Sequence, residues 1–287
     1  MLAQGSKIAV VAPAGVPDRN NLQEGIQLLT DWGYVPILGP HLFDQHNYTA
    51  GQARDRAADL QWALQADDLD AVWMARGGFG CAHCLPYVNW AAVRQRLVIG
   101  FSDVTALLYA LSARTSAIPV HGPNLDRLAK VSDQSREAMR SLLQAPARSK
   151  WKLTQCFSST PEEIEGPVIG GNLAVLASMV GTPWQVKMDG CLLLLEDIGE
   201  PAYRLDRLFT QLRQSGSLQE VRAVLLGEFI KCPLPEGVAL GELFVELLSG
   251  MSIPVFTGLP IGHGELNLPW YYGARGRVSA DGLELNN

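Results

Sequence analysis

Cysteine is scarce, basic charge does not cluster and apolar runs stay short, and each shortage removes a class of function. Five cysteines are scattered over 287 residues; an odd, unpatterned set excludes a disulfide-stapled secreted scaffold. Cys81 and Cys84 form a C-x-x-C that encloses His83. A structural zinc centre needs two more ligands at comparable spacing, no second pair exists, and the flanks are not those of a thioredoxin-type turn. Two packed thiols near a helix start is the expected reading, with no metal. The 23 basic residues are outnumbered by 29 acidic ones, a formal net charge of −6. Without a basic face, nucleic acid is not an expected partner. No apolar run reaches the ~18–20 residues that span a bilayer, and the longest, Cys191–Leu195, has the length of a buried strand. The opening Met1-Leu2-Ala3-Gln4-Gly5-Ser6-Lys7 has none of the three regions of a secretory signal. The expectation is a cytoplasmic protein with no membrane partner.

What is present is core-forming material: 47% apolar residues against 18% charged, a balance that excludes disorder and suits one large domain or two smaller ones. Lys7–Ala12 is a strand closed by Pro13-Ala14-Gly15. Asn21–Trp32 follows with Leu22, Ile26, Leu29 and Trp32 at helical spacing, stopped by Gly33. Strands at Tyr34–Leu38, Leu69–Met74, Leu97–Gly100 and Ile118–Val120 alternate with helices at Ala53–Leu64, Thr105–Ala113 and Ser132–Leu143. Strands apolar along their whole length, alternating with helices, predict an α/β fold with a parallel sheet covered on both faces. The polar, turn-rich stretch from Gln155 to Pro167 breaks that rhythm. The expected organisation is an N-terminal α/β domain over residues 1–150, a linker over 151–166, and a smaller C-terminal domain over 167–287. The latter has a helix after Gly170-Gly171-Asn172, strands at Leu192–Leu195 and Ala223–Leu226, a helix near Tyr203–Gln214, and short strands around Val255, Leu268 and Val278. That mixture predicts a β-rich, barrel-like α+β domain.

Four segments carry candidate chemistry. In Leu97–Thr105 an apolar strand ends at Gly100 and Ser102 follows on a tight turn into a helix. This is the mechanics of a nucleophile elbow, although Val104 stands where G-x-S-x-G has its last glycine. Ser-Asp before a helix is equally an ordinary N-cap. Arg76-Gly77-Gly78-Phe79-Gly80 follows a strand and can bring backbone N–H donors close to another group. Its spacing fits neither a dinucleotide fingerprint nor a P-loop, which leaves an oxyanion loop beside Ser102 or a mere tight turn. Leu192–Leu195 runs into Glu196-Asp197, a buried strand delivering an acid at its tip that calls for a partner such as histidine, or a strand-end turn with solvated acids. Lastly, Gly262-His263-Gly264 leaves a histidine unencumbered after a short strand. Among five histidines, His263 and His121 occupy strand-end settings suited to a base; failing that, His263 is a loop histidine without a role.

Taken jointly, these segments resemble the LD-carboxypeptidase family of serine peptidases, which includes muramoyltetrapeptide carboxypeptidases and microcin-immunity hydrolases. The resemblance rests on VVAPAG at Val10–Gly15, RGGFG at Arg76–Gly80, GFSDVT at Gly100–Thr105 and HGP at His121–Pro123. It continues through GGNLAVLASMVGTP at Gly170–Pro183, LLLEDIGEPAYRLDR at Leu193–Arg207 and TGLPIGHG at Thr257–Gly264. It implies a catalytic triad of Ser102, Glu196 and His263, with Glu200 as the rival acid, and an oxyanion hole from the N–H groups of Gly78 and Asp103. It further implies a serine-bearing α/β domain, a β-rich domain bearing Glu and His, an active site in the cleft between them, a homodimer, and no cofactor. A terminal carboxylate would suit an arginine, for which Arg76 and Arg204 are candidates.

The expected substrate is a murein tetrapeptide ending in D-alanine, cleaved during cell-wall recycling. The rival within the same fold is hydrolysis of peptidyl or aminoacyl nucleotides, with adenine stacked on Trp184, Trp270 or the Tyr271-Tyr272 pair. Two further readings are a non-catalytic binding protein of this fold and a general α/β-hydrolase esterase. The first is disfavoured by the intact triad residue types, the second by the missing glycine and the divided triad.

Overall fold

A computed structural model describes residues 1–145, 148–153, 155–156, 163–279 and 281–286. The chain divides into two units, Met1–Pro146 with Leu268–Tyr272, and Ala147–Asn267 with Gly273–Asn287. Of the segment read as a linker, residues 154 and 157–162 lie outside the described residues.

In the first unit the short apolar runs become β1 (Lys7–Val11), β2 (Val35–Leu38), β3 (Ala71–Met74), β4 (Leu97–Gly100) and β5 (Ile118–His121), all parallel. Every residue of β3 and β4 is buried, as strands covered on both faces require. The helices are α1 (Arg19–Asp31), α2 (Ala53–Gln65), the single turn α3 (Cys81–Cys84), α4 (Thr105–Arg114), α5 (Leu125–Leu128) and α6 (Asp133–Gln144). Local chemistry sets their starts: Asp18 accepts the Asn21 N–H at 2.9 Å to cap α1, and Ser132 caps α6 through the Ser135 N–H. The strand order β2-β1-β3-β4-β5 reverses direction between β1 and β3. In open α/β sheets the loops at the carboxyl ends near such a switch point gather around a ligand. Those loops here are Pro13–Gly15, Arg76–Gly80 and the turn at Ser102.

The second unit begins with β6 (Arg148–Trp151), β7 (Gln155–Cys156) and β8 (Ile164–Asn172). It goes on through α7 (Leu173–Ser178), β9 (Leu192–Ile198), α8 (Ala202–Gln214), β10 (Ala223–Ile230), α9 (Leu240–Leu247) and β11 (Val255–Thr257). The chain then returns to the first sheet as β12 (Trp270–Tyr271), antiparallel to β5, and ends in the hairpin β13 (Arg275–Ser279) and β14 (Gly282–Asn286). Among the described residues the second sheet has the order β6-β14-β13-β8-β9-β10-β11-β7. Its centre, β8 to β11, is parallel, its outer strands are antiparallel, and it curls into a half-barrel. The expected α/β class with a second, β-rich barrel-like α+β part is therefore what the chain forms. No helix among the described residues is long and apolar enough to cross a membrane.

Candidate active site

Ser102 stands in the left-handed region, φ 64°, as the first residue of a 3-10 turn, Ser102–Val104, wedged between β4 and α4. A non-glycine side chain there carries backbone strain and marks a turn that something else over-determines. The two cap positions are Phe101 and Val104, neither of which caps through its side chain, so Ser102 is not placed as the N-cap. Asn124, buried behind the turn, braces it: its Oδ1 accepts the Phe101 N–H at 3.1 Å and its Nδ2 donates to the Phe101 carbonyl at 3.4 Å.

The glycine loop lies alongside. A Cβ on Gly77 would fall 2.9 Å from Ser102 Cβ and 3.1 Å from its Oγ, so a larger residue there collides with the turn, and Gly78 holds φ +105°, a conformation that favours glycine. The loop is anchored at its far end as well. The Asp103 carboxylate accepts the Cys81 N–H at 2.7 Å. Burial pushes the Asp103 carboxyl up to about 6, against the pull of the Cys81 and Gly80 N–H groups and the Arg56 charge. Arg56, itself buried, donates to the Gly80 and Gly51 carbonyls at 2.7 and 3.2 Å and to the Pro13 carbonyl. One guanidinium thus ties the loop after β1 to the loop after β3.

Arg76 is half-exposed, donates to the Val16 carbonyl at 3.1 Å and lies 4.0 Å from Asp126. Burial raises the Asp126 carboxyl to about 6, and Arg76 opposes that rise. Cys81 and Cys84 are buried. Burial lifts Cys84 to about 11 and Cys81 well above its ordinary range, so both remain neutral thiols packed at a helix start. Among the described residues no group of three or more His, Cys, Asp or Glu is placed to hold a metal ion.

In the second unit, His263 Nδ1 lies 2.6 Å from Glu196 Oε2; the carboxylate is wholly buried and the imidazole 14% exposed. Glu196 is not at a strand tip, as the apolar run suggested, but inside β9, which continues to Ile198. Partners from elsewhere make that burial tolerable. Asn172, at the end of β8, donates to Glu196 Oε1 at 3.4 Å and to Asp197 Oδ1 at 2.9 Å, while its own Oδ1 accepts the Val175 N–H and caps α7. Asp197 also accepts the Ala174 and Ile198 N–H groups at 2.9 and 2.8 Å. Burial raises its carboxyl to about 6 against those hydrogen bonds. The rival acid, Glu200, is paired with Arg204 at 2.6 Å, one helical turn away.

Two further expectations are corrected. His121 is wholly buried, stacked on Trp270 at 3.9 Å with Phe101 at its edge, which is a core setting and not that of an accessible base. Trp270 and Tyr272 are likewise buried and offer no face to a nucleobase, while Trp184 and Tyr271 remain partly exposed. The supporting roles of Asn124, Arg56 and Asn172 escaped the sequence reading, and Asp197 entered it only as the neighbour of Glu196. Only Asn172, a polar residue just before a helix, carried a local signal.

Residues 8–122 match the LD-carboxypeptidase N-terminal domain and residues 165–278 its C-terminal domain. The murein tetrapeptide carboxypeptidase of Pseudomonas aeruginosa is 35% identical, over 93% of this chain and 91% of that one. The solved muramoyltetrapeptide carboxypeptidase of Oxalobacter formigenes superposes with a TM-score of 0.86 at 30% identity, over 98% of this chain and 99% of its own. The microcin C7 self-immunity protein MccF of Escherichia coli is 25% identical, over 96% and 90% of the two chains. By these matches the molecule is a serine peptidase. It belongs to the LD-carboxypeptidase family.

Proposed function

We propose that the chain hydrolyses the amide before the terminal D-alanine of murein tetrapeptides, with Ser102 as nucleophile, His263 as general base and Glu196 as the orienting acid. The observation that carries the reading is the 2.6 Å contact between His263 Nδ1 and the buried Glu196 carboxylate. A proton held on Nδ1 leaves Nε2 with its lone pair available, which is the tautomer a base requires. In the proposed reaction Nε2 takes the Ser102 hydroxyl proton as Oγ attacks the carbonyl carbon. The imidazolium, stabilised by Glu196, then gives that proton to the departing amino group of D-alanine. Water, deprotonated by the same nitrogen, cleaves the acyl-serine ester and restores the hydroxyl. The N–H groups of Gly78 and Asp103 are the proposed donors to the oxyanion. The left-handed Ser102 and the glycine loop against it support that assignment. Arg76 is the proposed contact for the substrate carboxylate. Arg204, already paired with Glu200, is the weaker choice.

The test is product analysis by mass spectrometry on a tetrapeptide ending in D-alanine and, separately, on an aminoacyl sulfamoyl adenylate. Wild type is expected to release D-alanine, and Ser102→Ala to lose activity by roughly 10⁴- to 10⁶-fold while remaining folded. Cleavage of the adenylate alone would replace this substrate class with the nucleotide one. Unchanged hydrolysis in Ser102→Ala would remove the nucleophile and with it the mechanism.

A further inference from the structure

The loop that carries His263 is held by a residue outside the proposed triad. β10 pairs in parallel with β9 up to Leu226 and again from Phe229, with a register shift between them. A bulge of this kind turns a side chain out of the ladder and re-aims it. The residues it releases are Gly227 and Glu228, and Glu228 meets the Ile261–Gly264 loop through two hydrogen bonds. Its main-chain N–H donates to the Ile261 carbonyl at 2.8 Å. Its carboxylate accepts the Gly264 N–H at 2.9 Å. Its Cβ would lie 2.8 Å from any Cβ on Gly262, and a Cβ on Gly264 would lie 2.2 Å from Oε2. Gly262 is held to glycine by its φ of +143° and by the Glu228 Cβ, and a side chain on Gly264 would push the Glu228 carboxylate off the N–H it accepts.

We propose that Glu228 is a positioning residue: it clasps the loop on both sides of His263 and thereby fixes where the imidazole rests against Glu196. The division of labour is clean. Glu196 orients the ring through Nδ1, and Glu228 locates the backbone from which the ring hangs. Burial raises the Glu228 carboxyl, with Glu196 and Glu265 adding to the rise and the Gly264 N–H and His263 opposing it. Glu228 is only partly buried, and the hydrogen bond it accepts from the Gly264 N–H is what ties its carboxylate to the loop.

The inference rests on the reading of His263 as the base, and the experiment separates the two. Three variants are compared with wild type in steady-state hydrolysis of the D-alanine tetrapeptide and in amide hydrogen exchange at Gly264 followed by NMR. Glu228→Gln keeps the length and an accepting oxygen, Glu228→Asp keeps the charge but withdraws the oxygen by one methylene, and Glu228→Ala removes both. A displacement of about 1 Å at a reacting group can cost ~100-fold. The expected result is a fall in kcat of about 10- to 100-fold for Ala and Asp, KM within about threefold of wild type, and Gln within about threefold throughout. Gly264 exchange should speed up in Ala and Asp and stay slow in Gln. Should Ala not fold, Asp against Gln carries the same comparison. Asp equal to or better than Gln in kcat, or Gly264 exchange unchanged in Ala or Asp, overturns the proposal. If wild type cleaves no tetrapeptide, the functional reading fails, while Gly264 exchange still decides whether Glu228 holds the loop.

Discussion

The serine turn and the histidine loop serve one proposed reaction and are built by opposite means. Around Ser102 the main chain sets the geometry and side chains only brace it from behind: a positive φ at the serine, a second at Gly78, a glycine whose missing Cβ leaves room for the hydroxyl, and Asn124, Asp103 and Arg56 as supports. Around His263 side chains make it: buried Glu196 and Asp197, Asn172 between them, and Glu228 against the loop. A backbone-built site tolerates changes of charge and not of volume. A side-chain-built site tolerates small changes of shape and not the loss of a charged partner.

The sharpest way to break this contrast is Glu196→Gln, which alters charge and proton inventory at nearly constant volume. If Glu196 sets the tautomer of His263, kcat on the tetrapeptide falls by roughly 10⁴-fold, with the melting temperature little changed. A loss under tenfold would mean that the imidazole is oriented by its loop alone. The complementary change in the first unit adds volume without charge. Gly78→Ala places a side chain at φ +105° and displaces a proposed oxyanion donor. Losing one such donor costs about 10²- to 10³-fold in kcat, and the misfit adds about 1 kcal/mol of destabilisation or more. Stopped-flow acylation and urea unfolding of the same variant read the two effects separately. Normal acylation with reduced stability would make the glycine loop a turn and nothing more.

The same contrast explains what could be read from the chain beforehand. β4 was legible to the residue at Leu97–Gly100, because an apolar run ending in glycine is a local signal. The helix from Thr105 was legible for the same reason, ending one residue later than expected, at Arg114. Glu196 was misplaced at a strand tip because the apolar run stops at Leu195. The strand continues since Asn172, distant in sequence, satisfies the acids that follow. Glu228 left no trace, because a register shift between two strands has no signature in either strand alone. His263 became a candidate from its flanking glycines, but its pairing with Glu196 over Glu200 came from the family motif and not from spacing. Backbone-made features announce themselves through glycine, and side-chain networks emerge only when the strands are paired.

The smallest expected effect concerns the one buried acid on which the serine turn depends. Asp103 is 7% exposed, and its carboxyl titrates near 6 in the fold against about 3.9 in an unfolded chain. The folded state therefore holds the proton more tightly than the unfolded one. Its contribution favours folding most below pH ~4, is lost as pH rises toward ~6, and is constant above that. Asparagine does not titrate, so the stability of Asp103→Asn relative to wild type should rise by about 1–3 kcal/mol between pH 4 and 7 and then level off. Asparagine's oxygen still accepts from the Cys81 N–H, though more weakly than a carboxylate; that offset is the same at every pH and leaves the change between pH 4 and 7 untouched. Urea midpoints for both proteins at half-unit pH steps measure the difference directly. A flat difference would mean that the Cys81 and Gly80 N–H groups and Arg56 offset the burial in full, so that the turn has an electrostatic support the backbone contrast leaves out.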